Sequence, residues 1–197
     1  MAGKTASAGD IVKLKVTLAG LRPPIWRRLL IPADATLADL HAAIQAAMGW
    51  HGGHLHEFDL SFARYGDPTT TDDVDDEAKV TLISLTRAGA TRFRYTYDFG
   101  DDWVHQIVVE GSVPRTEGQR YPACIGGKRA CPPEDSGGPY GLAELLAARA
   151  DPNHPDHAEI AEWLEEDYDP EAFSVAEADA RLAARFASRK AGRKAGR

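Results

Sequence analysis

The sequence predicts an α+β fold: a mostly antiparallel sheet, a crossover helix after the first strand pair, a long Pro/Gly-rich loop, and about three C-terminal helices. Three observations predict it. The chain opens with two strand-like segments and one helix-like segment, "TRFRYTYDFGDDWVHQIVVEGSV" reads as a hairpin, and helical periodicity returns only after residue 139. Strands gathered first and helices gathered last give an antiparallel sheet with its helices segregated to one side or end.

"IVKLKVTLAG" alternates Val12, Leu14, Val16 and Leu18 against Ile11, Lys13, Lys15 and Thr17, the period of a half-buried strand. In "LRPP" both prolines lack an amide hydrogen and fix φ, so the chain turns and "IWRRLLIP" returns as an antiparallel partner. Leu37, Leu40, Ile44, Ala47 and Met48 then recur at helical spacing, with Thr36 or Asp34 as cap and Gly49 as stop. "HLHEFDLSFARYG" alternates as a strand pointing His54, His56, Phe58, Leu60 and Phe62 to one face. "KVTLISL" reads as a weak strand.

The turn of the hairpin follows from side-chain phase. Phe93, Tyr95 and Tyr97 share one face of its first strand, and Trp103, His105, Ile107 and Val109 share one face of its second. Both sets lie on the same side of the sheet only if Tyr97 opposes Trp103. The loop is therefore odd-numbered and centred on Gly100, where a positive φ is expected. Residues 112–139 have no periodicity and read as one long loop, which compact domains rarely carry without a functional or binding reason. "YGLAELLAARA", "PDHAEIAEWLEEDY" and "SVAEADARLAARFA" follow as helices, the last with Ser174 and Glu177 as a capping box. Residues 1–9 are expected as a flexible arm, 10–187 as a single domain and 188–197 as a basic flexible tail.

Composition narrows the function classes. At 197 residues the chain can bury roughly 70% of its unfolded surface, enough for a core without staples. No run approaches the ~18 apolar residues of a membrane span, and the start "MAGKTASAGD" has no apolar signal region. Two cysteines make no disulfide framework, so a cytoplasmic location is expected. A net charge of −7 argues against broad nucleic-acid binding by the folded surface. The tail "SRKAGRKAGR" is the exception: Arg189, Lys190, Arg193 and Lys194 could hold phosphates weakly, non-specifically and in a salt-sensitive way.

Candidate chemistry gathers in three places. His54 and His56 project to one face of a strand, and His105 sits on the aromatic face of the hairpin. If those strands adjoin, the three imidazoles could hold a divalent metal such as zinc, with Cys124, Cys131 and His51 as further ligands. The alternative is a set of buried, hydrogen-bonded histidines. Asp98, Asp101 and Asp102 flank Gly100, where carboxylates stabilise turns; Asp98 or Asp101 could instead pair with His105 for general-base work. Glu134 and Asp135 follow the stiff Pro132-Pro133 step, which suits them to capping a helix, bracing the loop, holding a metal or meeting a partner's Arg or Lys. Trp103 and Tyr97 are candidate partner-binding aromatics.

"LKVTL…PPIWRRLLIP", "MGW…HLHEF", "YTYDFGDDWVH", "CIGGKRACPPEDSGGPYG" and "WLEEDYDPEAF" occur in that order. Together they resemble the plasmid pRiA4b ORF-3-like family over roughly residues 10 to 186. The resemblance implies an α+β domain, often near mobile elements, with no established activity. Some members carry the label of a TnpR resolvase or an insertion-element passenger. Members commonly read Cys-Pro-Pro-Glu-Asp-Cys-Gly-Gly, whereas this chain has Ser136 in the last cysteine place. Recombinase chemistry is disfavoured, because it needs several cationic donors converging on one phosphate and the arginines here are scattered. The expectation is a non-enzymatic accessory module holding a protein or nucleic-acid partner in a groove beside the 112–139 loop. The alternative is a metal-dependent hydrolase built on His54, His56 and His105.

Overall fold

β1 (Asp10–Leu18) and β2 (Ile25–Pro32) pair antiparallel, with Leu14 opposite Leu29 and Val16 opposite Arg27. Val12, Leu14, Val16 and Leu18 are buried as their alternation requires. The structure is a computed structural model and describes residue 7, residues 9–164 and residues 168–195, with side chains as far as Ala187. α1 (Leu37–Met48) begins at a reciprocal capping box, in which Thr36 Oγ1 accepts from Asp39 N–H and Asp39 accepts from Thr36 N–H. It ends at Gly49, whose φ of 101° lies in the left-handed region that a Cβ disfavours. No basic residue lies in its last turn, and two distant arginines serve its C-terminal carbonyls instead. Arg27 Nε donates to Ala47 O, and Arg181 Nε donates to Ala46 O, both at 3.0 Å.

β3 (His56–Leu60) and β4 (Ala63–Gly66) form a tight hairpin, followed by β5 (Asp75–Asp76), a 3-10 turn over Glu77–Lys79, and α2 (Leu82–Arg87). β6 (Arg92–Tyr97), β7 (Trp103–Pro114) and β8 (Ala123–Lys128) complete an eight-stranded sheet in the order β5-β4-β3-β6-β7-β1-β2-β8. Its pairings are antiparallel except β4 with β5, so the sheet is mixed. α3 (Gly138–Ala150), α4 (His157–Trp163) and α5 (Val175–Ala195) follow. Among the described residues no helix is long and apolar enough to cross a membrane.

Four expectations are corrected. The strand read from residue 54 begins at His56 and breaks at Ser61-Phe62, which leaves Phe62 exposed. "KVTLISL" is mostly helix α2, because Thr81 and Ser84 form a capping box that outweighs a short alternation. The 112–139 segment is not one loop: it contains the end of β7 and the whole of β8, which pairs with β2. Tyr97 does oppose Trp103 across a five-residue loop, but the positive φ falls on Asp98 (59°) and Asp102 (53°) rather than on Gly100. Aspartate tolerates that region because its short side chain bonds the nearby backbone. The backbone of α5 runs on to Ala195, within the segment expected as the basic tail. The side chains of Arg189, Lys190, Arg193 and Lys194, and residues 1–6 of the N-terminal arm, lie outside the described residues.

Candidate functional site

The buried face of β3, β6 and β7 carries rows of aromatic and imidazole rings. Register places His56 opposite Tyr97 and Tyr97 opposite Trp103, then Phe58 opposite Tyr95 and Tyr95 opposite His105. β6 thus lies between the strands bearing His56 and His105. Two inter-strand steps separate those strands by about 10 Å. The ring of Tyr95 fills the gap, with centroids 5.9 Å from His56 and 5.2 Å from His105. The three histidines therefore do not meet, and the expected trio is replaced by three separate settings.

His105 is fully buried, and its Nδ1–H donates to the Tyr95 carbonyl at 3.3 Å. Burial pushes its pKa down to about 4, so the ring is neutral at pH 7. Its Nε2 has no hydrogen-bond partner among the described residues, nor has Nε1 of Trp103. Trp50, just beyond α1, packs edge-on against His105 and within 5.9 Å of the Trp103 ring. Neither Asp98 nor Asp101 bonds His105, so the expected general-base pair does not form.

His56 bonds Glu77 at 2.9 Å and stacks flat on His41 of α1, centroids 3.6 Å apart. His41 Nδ1 lies 2.8 Å from Tyr95 Oη, which also accepts from Gln45 Nε2 at 2.8 Å. Tyr95, His41, His56 and Glu77 thus form a polar seam between α1 and the sheet. Glu77, His41 and Gln45 carry little signal in the sequence, because their partners come from distant segments. The helical spacing of His41 and Gln45, four residues apart, was the one available signal.

The third setting joins the hairpin tip to the segment after β8. Asp98 Oδ1 accepts the Gly100 N–H at 2.9 Å and the Asp101 N–H at 3.3 Å, which closes the turn. Asp98 Oδ2 lies 3.6 Å from His54 Nδ1, and Asp135 Oδ1 lies 3.3 Å from His54 Nε2. Ligand-type atoms of His54, Asp98 and Asp135 fall within 4.8 Å of one another. Beside them, Glu134 accepts from Tyr97 Oη, from His51 N–H at 3.2 Å, and contacts His51 Nδ1 at 3.1 Å. Burial pushes Glu134 up, but its bonds from Tyr97 and His51 outweigh that and hold it below the usual carboxylate range. Burial and the adjoining Glu134 carboxylate both push Tyr97 up.

The same segment is pinned elsewhere. Trp50 Nε1 donates to Pro132 O at 2.9 Å, Ser136 Oγ donates to Pro133 O at 2.8 Å, and Gly137 N–H donates to Asp101 Oδ2 at 3.0 Å. Ser136 thus closes the Pro133–Ser136 turn. A Cβ on Gly138 would stand 2.2 Å from Asp101 O, so only glycine lets the backbone approach the hairpin tip. Residues 131–138 are therefore a brace over the sheet end, and Glu134 and Asp135 cap no helix: the N-cap of α3 is Gly137, without a side-chain bond. The cysteines are free thiols. Burial raises the pKa of both, and neither belongs to a metal-ligating trio among the described residues. Trp103 and Tyr97 are buried, 1% and 0% exposed, and so offer no surface to a partner.

Beyond the brace lies a groove of about 1050 Å³ between α3 and α4. Leu145, Ile160 and Trp163 line it, and Asp135, Ser136 and Gly137 lie at its border with the brace. Its carboxylates are Asp135, Glu144, Asp151, Asp156 and Glu159, against one histidine, His154, and no lysine or arginine. α4 buries none of its own residues, and Trp163 is 45% exposed.

Comparison with known proteins shows the family and the fold. An uncharacterized protein, y4hQ, from Sinorhizobium fredii (strain NBRC 101917 / NGR234) is 42% identical over 164 residues, covering 81% of this chain and 84% of that protein. The crystal structure of MM3350, a protein of unknown function from Methanosarcina mazei Go1, matches with a TM-score of 0.81 at 38% identity, covering 87% of this chain and 98% of that one. Residues 10–177 fit the family described as plasmid pRiA4b ORF-3-like protein, and with the relatives above this makes the chain a member of that family.

Proposed function

We propose that the protein is a non-enzymatic binding module that holds a lysine- and arginine-bearing segment of a partner protein in the α3–α4 groove beside the 131–138 brace. One observation carries this reading: an open groove of about 1050 Å³ with an apolar floor and five carboxylates, beside a helix that buries none of its own residues. An open groove with apolar side chains, beside a short helix that leaves Trp163 exposed, is a surface available to a partner. Its charge selects the partner class. A negative rim repels phosphate and attracts ammonium and guanidinium groups, which favours a basic peptide over a nucleic acid. The hydrolase alternative through His54, His56 and His105 draws no support from the geometry, because Tyr95 stands between His56 and His105.

The test is a titration with a synthetic basic amphipathic helix, bearing leucines on one face, alongside its acidic counterpart. The basic peptide is expected to bind with micromolar affinity and to weaken at least tenfold both in Glu144→Lys/Glu159→Lys protein and when salt rises from 50 to 500 mM. Equal affinity for the acidic peptide, or indifference to the double charge reversal, would overturn the reading. Binding of a DNA duplex by the wild-type protein, with the basic peptide left unbound, would replace the peptide with a nucleic acid.

A further inference from the structure

We propose that His54, Asp98 and Asp135 form a site for one divalent first-row cation, which fastens the hairpin tip to the brace. The site draws its residues from three separate parts of the chain: the segment before β3, the β6–β7 tip and the brace. Their ligand atoms converge within 4.8 Å.

The placement of both imidazole nitrogens against carboxylates makes the case. One nitrogen of His54 faces Asp98 at 3.6 Å and the other faces Asp135 at 3.3 Å. A neutral imidazole has a single N–H. One of the two carboxylates must then face a nitrogen lone pair, which is a repulsive contact. A cation turns the lone pair of the ring nitrogen it binds into a ligand bond and balances the charge of both carboxylates. Cation–ligand bonds of about 2.0–2.2 Å at tetrahedral angles place ligand atoms about 3.4 Å apart. The 3.3 Å separation of His54 Nε2 from Asp135 Oδ1 already matches, and the widest separation, 4.8 Å at most, needs only a small inward movement.

One imidazole and two carboxylates suit zinc or manganese better than magnesium, which favours all-oxygen, largely hydrated coordination. The remaining coordination positions face outward, since the His54 side chain is 34% exposed and that of Asp135 is 73% exposed. Asp98 is the anchored member, its other oxygen holding the turn. The rival resolution of the same contact is a protonated His54 bridging both carboxylates, with no metal.

Calorimetry on chelator-dialysed protein without an affinity tag separates the two. Titration with zinc chloride at pH 7 should show one equivalent bound, with a far weaker response to magnesium chloride. Asp135→Asn and His54→Gln should each weaken zinc binding at least tenfold, while Asp135→Asn, at an exposed position, keeps the wild-type melting temperature. If the wild type takes up no zinc, or if Asp135→Asn binds it with unchanged affinity, the site is not a metal site. The peptide titration is independent, so failure of either leaves the other standing.

Discussion

The inner face of the β6–β7 hairpin and the outer face of α3 and α4 obey opposite rules. Under α1, every ring has a neighbour: Trp103 touches Trp50, Tyr95 touches His41, His56 and His105, and Tyr97 touches Trp50 and His54. On the α3–α4 face, α4 buries nothing of its own and Trp163 is half exposed. Both regions carry a tryptophan, yet only one of these is part of the folded core. The difference separates residues that hold the fold from residues left over once folding is complete. The leftover set is where function is to be sought.

Exchanging the tryptophans is the sharpest way to break this comparison. Trp103→Ala removes a side chain that is 1% exposed and should cost about 3–5 kcal/mol in a denaturant titration. Trp163→Ala should stay within about 0.5 kcal/mol of wild type. Comparable losses at both positions would show α4 to be core.

Acid gives the next largest effect. His105 is held neutral in the fold with its pKa lowered to about 4, whereas the unfolded chain takes the proton near 6.5. Its contribution is therefore fully present above pH 6.5 and is lost as pH falls toward 4. At 1.36 kcal/mol per pKa unit the loss comes to roughly 3 kcal/mol. Unfolding curves at pH 7 and pH 4 should show His105→Asn losing less stability between them than the wild type. An identical loss would mean that the buried ring is not what acid attacks.

Tyr97→Phe is the smallest change, deleting one hydroxyl at the boundary between the two regions. Removing its bond to a charged Glu134 should cost about 2 kcal/mol, measured by thermal melting, and should release Glu134 toward ordinary carboxylate titration. A change below about 0.5 kcal/mol would make the brace a passive loop.

Legibility in the sequence followed the range of the interactions. Side-chain phase alone placed Tyr97 opposite Trp103, because both strands are local and one face is uniformly aromatic. The cap at Thr36 and the stop at Gly49 were equally local. β8 was hidden because Gly126 and Gly127 look like loop residues. In the fold, a Cβ on Gly127 would stand 2.5 Å from the Phe173 ring, so glycine there answers to a residue 46 positions away. His54 and His56 were read as companions because they are two apart. The strand begins only at His56, and that boundary sends His54 to the hairpin tip and His56 to Glu77. Asp98, Asp101, Glu134 and Asp135 stand out in the sequence, but their partners depend on how the brace crosses the sheet end, which no local pattern encodes.

The strand order has a consequence for biogenesis. β1 pairs with β2, the next strand in sequence, yet its other flank is closed by β7, about 90 residues further along. While the middle of the chain is still being synthesised, both edges of the nascent β1–β2 hairpin are open, with nothing to zip onto. Such long-range pairings slow folding and expose unfinished strands to aggregation. The hairpin is flanked on both sides only once β7 and β8, residues 103–128, have emerged.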